Sequence, residues 1–172
     1  MSAKRILLSL ILLVGLAACE SDTPDPVADP GQIDQALSEF ASARSQVIQS
    51  LGEARGADLS ESAALDRAAA RHALDLATHR TSTHIGLDGS SPGERIASHG
   101  GQMDRQREFI FRIEGDPGDQ SDYADLADRA LATWLAPLPD NAVLTESATH
   151  AAVAFAPTRD GGYVGVLLLA QR

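Results

Sequence analysis

Ser82-Thr83-His84-Ile85-Gly86-Leu87-Asp88-Gly89, followed by Ser91-Pro92, Arg95-Ile96 and Gly100-Gly101, decides the fold of this chain. It places a histidine at the exit of a helix, then a tight glycine turn, then a short capped helix. Ser90 or Ser91 supplies the cap, Pro92 occupies a first-turn position and Gly100-Gly101 ends the helix.

On the N-terminal side, apolar residues recur at helical spacing over Ala64, Leu65, Ala68, Ala69, His72 and Leu76, which predicts a helix ending near Arg80. Ser60 is its expected cap, and Arg71, Asp75 and Arg80 fall mostly off the apolar face. Further upstream, Ile33, Leu37, Phe40, Val47 and Leu51 predict one helix from Ile33 to about Leu51. On the C-terminal side, Arg107 to Ile113 alternates as a half-buried strand. Glu108, Ile110 and Arg112 share one face, and Phe109, Phe111 and Ile113 the other. Glu114 to Gln120 reads as an acidic loop. Ser121 is the expected cap of a helix carrying Tyr123, Leu126, Ala127, Ala130, Leu131 and Trp134, stopped by Pro137-Leu138-Pro139. Thr149 to Ala156 and Tyr163 to Ala170 read as strands joined by an Asp160-Gly161-Gly162 turn. This order predicts an α+β fold, not a doubly wound sheet.

The ends bound the compartment. Lys4 and Arg5 precede the apolar run Ile6 to Leu16, which is too short to span a bilayer, for which about 20 residues are needed. Leu16-Ala17-Ala18-Cys19 has the form of a lipobox. Residues 1–18 therefore read as a lipoprotein signal peptide, and Cys19 as the lipid-bearing residue that anchors the chain to a bacterial membrane. Cys19 is the single cysteine, so no disulfide forms within one chain. Residues 19–31, with Pro24, Pro26 and Pro30 among Asp22, Asp25 and Asp29, read as an acidic tether, and 32–172 as one domain. Formal net charge is −10, and loss of Lys4 and Arg5 makes the remainder more acidic still. Nucleic acid is therefore not an expected partner.

Four segments resemble the CAP superfamily of cysteine-rich secretory, antigen 5 and pathogenesis-related proteins. They are Leu65 to Thr78, the segment His84-x-Gly86-x-Asp88-Gly89 with Arg95-Ile96 and Gly100-Gly101, Glu108-Phe109-Ile110, and the closing pair of strands. The resemblance runs from about Ile33 to Gln171. It implies an α-β-α sandwich in which a small antiparallel sheet is covered by helices. It also implies a cleft that gathers two histidines and acidic residues. His84 matches the first histidine and Glu108 the acid of a Glu-Asn-Ile strand. The chain departs from the pattern at Phe109, in the place of the asparagine. In the family's Trp-x-x-Ser-x-x-His, Trp134 is kept, but Pro137 stands for the serine and Asp140 for the second histidine.

Two neutral imidazoles hold zinc, and a carboxylate beside them orients one or activates water. His84 reads as a metal ligand, a cleft residue or a tether of its turn, and is the only family-matched histidine for zinc. Glu108 reads as a cleft acid or base, or as a solvated charge on an open strand face. His84, Glu108 and Asp140 are the expected binding cleft, with His84 and Glu108 the candidates for any catalysis. His72 reads as a packed helix residue, and His99 as a helix C-terminal residue where a cation is favoured. No His-Glu-x-x-His pattern occurs. Asp116, Asp119, Asp122 and Asp125 lack the spacing of a calcium loop. The functional expectation is a membrane-anchored, extracytoplasmic envelope module that binds a small-molecule, peptide or protein ligand without catalysis. The alternatives are a metal-assisted hydrolase of peptide or wall material, and a structural envelope protein without a ligand.

Overall fold

A computed structural model describes residues 28–114, 123–136, 143 and 147–172. The expectations on the signal peptide, Cys19, Ser121, the loop of Asp116 and Asp119, Pro137 to Pro139 and Asp140 lie outside the described residues. Elements run α1 (Pro30–Glu39), α2 (Ala41–Arg55), α3 (Ala63–His79), α4 (Pro92–Ser98), β1 (Arg105–Ile113), α5 (Ala124–Trp134), β2 (His150–Pro157) and β3 (Tyr163–Gln171). The fold is α+β. Its strands form one antiparallel sheet in the order β1-β3-β2.

Helices cover both faces of that sheet. On one face Ala152, Ala154, Ala156, Val166 and Leu168 meet Ala68, Ala69, Ala70, Ala73 and Leu76 of α3. Small side chains on both sides let the helix lie close to the strands, so many weak contacts accumulate over a thin layer. The opposite face buries Val153, Phe155, Leu167 and Leu169 against α2 and α5, with Phe40, Leu51, Leu126 and Trp134. Here the filling is aromatic. Gly165 on the central strand pairs with Phe111 on one side and Phe155 on the other. A methyl at Gly165 would sit 2.9 Å from the Phe155 ring and 3.2 Å from that of Phe111. The absent side chain is what lets both rings close over the strand.

Several local expectations are corrected. The single helix from Ile33 to Leu51 is two helices. The chain breaks at Phe40, whose fully buried ring packs edge-on against Phe155 at 6.0 Å. Burying that ring outweighs the continuity of the helix. Pro30 and Gly31, read as the end of the tether, form the first turn of α1, where Asp29 and Gln32 make a reciprocal capping box. Ser60 does not cap α3. It lies along the free edge of β2, its N–H donating to Thr149 O at 3.0 Å and its carbonyl accepting from Ala151 N–H at 3.0 Å. Ser62 is the residue preceding α3. The residue preceding α5 is Tyr123, in a left-handed conformation. Asp75, placed off the apolar face, is buried, and burial raises its carboxyl pKa.

Candidate functional site

The site grows out of the turn after α3. Arg80 ends that helix in the left-handed region, at φ 54°, and swings the chain out of the helix axis. The loop then folds on itself. Gly89 N–H donates to Gly86 O at 2.9 Å and Gly86 N–H to Ser90 O at 2.8 Å. Gly89 takes φ 82°, where a side chain would be strained. Asp88 accepts from Ser90 N–H at 3.0 Å and ion-pairs with Arg71 of α3, so the far end of the loop is clamped to the helix it left. Ser91 then caps α4 in a capping box with Glu94.

Arg95 and Glu108 are brought together under this loop. Arg95 is fully buried and the Glu108 side chain is 1 % exposed. One guanidinium nitrogen donates to Glu108 Oε2 at 2.5 Å. Another donates to the carbonyls of Ser90 at 2.8 Å and His84 at 3.2 Å. A buried arginine tied to three acceptors holds a buried carboxylate in one place. Glu108 is therefore not a solvated charge on an open strand face.

The second oxygen, Oε1, accepts from His84 Nδ1 at 2.9 Å. A carboxylate accepts only, so Nδ1 carries a proton, and in the neutral ring Nε2 carries the lone pair. The His84 side chain is 59 % exposed. The result is an imidazole fixed from behind by a buried carboxylate, with its basic nitrogen on the solvent side. Such an arrangement can accept a hydrogen bond, take a proton or ligate a metal.

His72 completes the cluster. Its Nε2 donates to Thr83 O at 2.8 Å and lies 3.4 Å from Glu108 Oε1. Burial, foremost, lowers the His72 pKa, against the pull of Glu108. His99, expected to favour a cation at the end of α4, is instead pushed toward neutrality by burial, then by Arg71 and Arg67. His79 and His150 do not join the cluster; the His150 ring meets Thr149.

The donor set does not match what zinc requires. Glu108 spends both oxygens on Arg95 and His84, which makes it an orienting group. His72 Nε2 is occupied by a carbonyl. His84 Nε2 is thus the one outward-facing donor of this cluster. Among the described residues no group of three His, Cys, Asp or Glu side chains is arranged to hold a metal ion. The described residues therefore do not fit a zinc site.

Of the residues read from sequence, the structure joins His84 with Glu108, while Asp140 lies outside the described residues. Two members were missed. Arg95 was visible only as part of a motif, and its burial follows from the tertiary packing of α4 on β1. His72 stood among alanines on an apolar face, and its polar role depends on a loop eleven residues later.

No family model matches the chain, and no curated protein matches it. Among solved structures the fold is similar to that of an outer surface protein from Borrelia burgdorferi. The TM-score is 0.59 and the identity 21 %, over 78 % of this chain and 93 % of that one. At this identity the likeness is one of fold.

Proposed function

We propose that this chain is a lipid-anchored protein of the bacterial envelope, a divergent relative of the CAP superfamily. Its surface at the exposed His84 ring, held from behind by Glu108, binds a small or peptide-like ligand. The observation that carries this reading is the His84 Nδ1 to Glu108 Oε1 contact, backed by Arg95. Burying a carboxylate and a guanidinium costs desolvation, and doing so to aim an exposed ring toward solvent is hard to account for by stability alone. The lipobox at Cys19 supports the envelope location, and the outer-surface neighbour of similar fold is in keeping with it.

Ligand binding is tested by thermal shift of the full chain against wall-derived peptides, muropeptides and short acyl compounds, with His84→Ala beside the wild type. The reading predicts a compound that raises the melting temperature of the wild type and leaves His84→Ala unmoved. Hits that stabilise both equally place the ligand elsewhere and contradict it.

A second reading, hydrolysis, is favoured by the same pairing, because a ring oriented through Nδ1 presents Nε2 as a general base. Chromatography of the incubated compounds separates the two. Cleavage that is lost in His84→Ala supports hydrolysis, and intact recovery of a bound compound supports binding.

A further inference from the structure

His72 has no exposed surface and sits mid-helix in α3. Its Nε2 faces two acceptors, Thr83 O at 2.8 Å and Glu108 Oε1 at 3.4 Å, so Nε2 carries the proton. Nδ1 is then an unprotonated nitrogen, buried and without a hydrogen-bond partner among the described residues. The ring is neutral. Thr83 is the residue before His84. The chain at His84 is therefore held at three points: Thr83 O by His72, its own carbonyl by Arg95, and its ring by Glu108. Each of the three holding groups is buried, whereas the ring they hold is open to solvent.

We infer that His72 is a positioning residue for His84, holding the loop through Thr83 while neutral and releasing it when Nδ1 takes a proton. The inference rests on reading His84 as the working group of the site. The charged and titratable groups facing His72 are Glu108 from β1, Arg95 from α4 and His84 from the loop. Glu108 already serves Arg95 and His84, so it has little left to offer a second cation. Arg95 repels one. A new Nδ1–H would meet no acceptor among the described residues and would have to reach water. Reaching water moves the ring, and the Thr83 bond goes with it. The site is thus ordered at neutral pH and loosened in acid. A buried histidine that merely filled space would need no donor toward Thr83.

The test is a pH titration of the full chain labelled with 15N-histidine, following the His84 ring in wild type, His72→Gln and His72→Phe. Glutamine offers an N–H at about the position of Nε2 and does not titrate; phenylalanine keeps the ring volume and has no donor. The expected result is two inflections for His84 in wild type, its own and one coincident with His72. The second should vanish in His72→Gln, with the His84 chemical shifts at neutral pH kept. In His72→Phe the neutral-pH shifts of His84 and the Ile85 amide should move. A single inflection in wild type overturns the inference. So does a second inflection that persists in His72→Gln, or a folded His72→Phe with unmoved His84 signals. If His72→Phe fails to fold, the wild type and His72→Gln decide. None of these readouts needs a ligand, so a site that binds nothing leaves them standing, and their failure leaves the binding reading intact.

Discussion

His84 Nδ1 lies 2.9 Å from Glu108 Oε1, and this contact joins the most exposed member of the cluster to one of its most buried. The consequence is an asymmetry between holding and working groups. Arg95 and Glu108 belong to the interior and serve the fold as well as the site. His84 belongs to the surface, and its ring touches the interior through this one contact with Glu108.

Substitutions should separate these roles. Arg95→Met removes the fully buried partner of Glu108 and strands a buried carboxylate, which costs about 3–5 kcal/mol. His84→Ala removes an exposed ring and one of the donors to the buried Glu108 carboxylate, and should cost about 1–2 kcal/mol, clearly less than Arg95→Met. Urea denaturation of both variants checks the contrast. Equal losses would mean that His84 is a structural residue.

Stability should fall on mild acidification. The His72 and His99 pKa values are lowered, chiefly by burial, so the unfolded chain binds more protons than the folded one. The loss begins near the ordinary histidine value of about 6.5 and continues down through the lowered folded values. Asp66 and Asp75 act in the opposite sense. Burial raises both, so the folded state holds those protons more tightly, and stability is recovered as pH falls through the raised values. His72→Gln should flatten the decline just below the histidine value and leave the part due to His99. Urea midpoints measured at a series of pH values would show this, and an unchanged slope would contradict it.

Gly165, the third residue of β3, should resist substitution even by alanine. A methyl there meets the Phe155 and Phe111 rings at 2.9 and 3.2 Å, and these rings pack on Trp134. Gly165→Ala should destabilise by about 1–3 kcal/mol, with altered near-ultraviolet circular dichroism from the displaced aromatic cluster. A neutral substitution with an unchanged spectrum would mean that the rings have room to move.

Arg44 guards the free edge of β2. Its Nε donates to Val153 O at 2.6 Å, and its guanidinium also pairs with Asp66 at 2.6 Å and reaches Leu37 O at 3.2 Å. Both side chains of the pair are mostly buried. Arg44→Met should cost about 3 kcal/mol through the stranded Asp66 carboxylate, and the opened edge should favour self-association. Chemical denaturation and light scattering against concentration test the two parts separately. A variant as stable and as monodisperse as wild type would remove Arg44 from this role.

Much of the framework was legible in the sequence. Alternation in 107–113, the two closing strands with their glycine turn, and the Ser91-Pro92 start of α4 each carry a local signal that tertiary packing reinforces. The break at Phe40 was not legible, because it follows from an aromatic cluster assembled from residues more than a hundred positions apart. Ser60 looked like a helix cap because serine satisfies orphan N–H groups in either setting; only the position of β2 shows that its backbone pairs along a strand edge. At the site, His84 and Glu108 were readable as residue types in a motif. Arg95 as the clamp and His72 as the donor to Thr83 were not, since neither contact has a spacing that sequence periodicity encodes.

The central claim is that Glu108 fixes His84 with its Nε2 lone pair facing solvent. Nitrogen-15 chemical shifts of the His84 ring in the full chain near neutral pH, in wild type and Glu108→Gln, test it most directly. The account predicts a wild-type ring protonated at Nδ1 and unprotonated at Nε2, and a mixture of tautomers in Glu108→Gln. A wild-type ring protonated at Nε2, or one indifferent to the loss of the carboxylate, would contradict it.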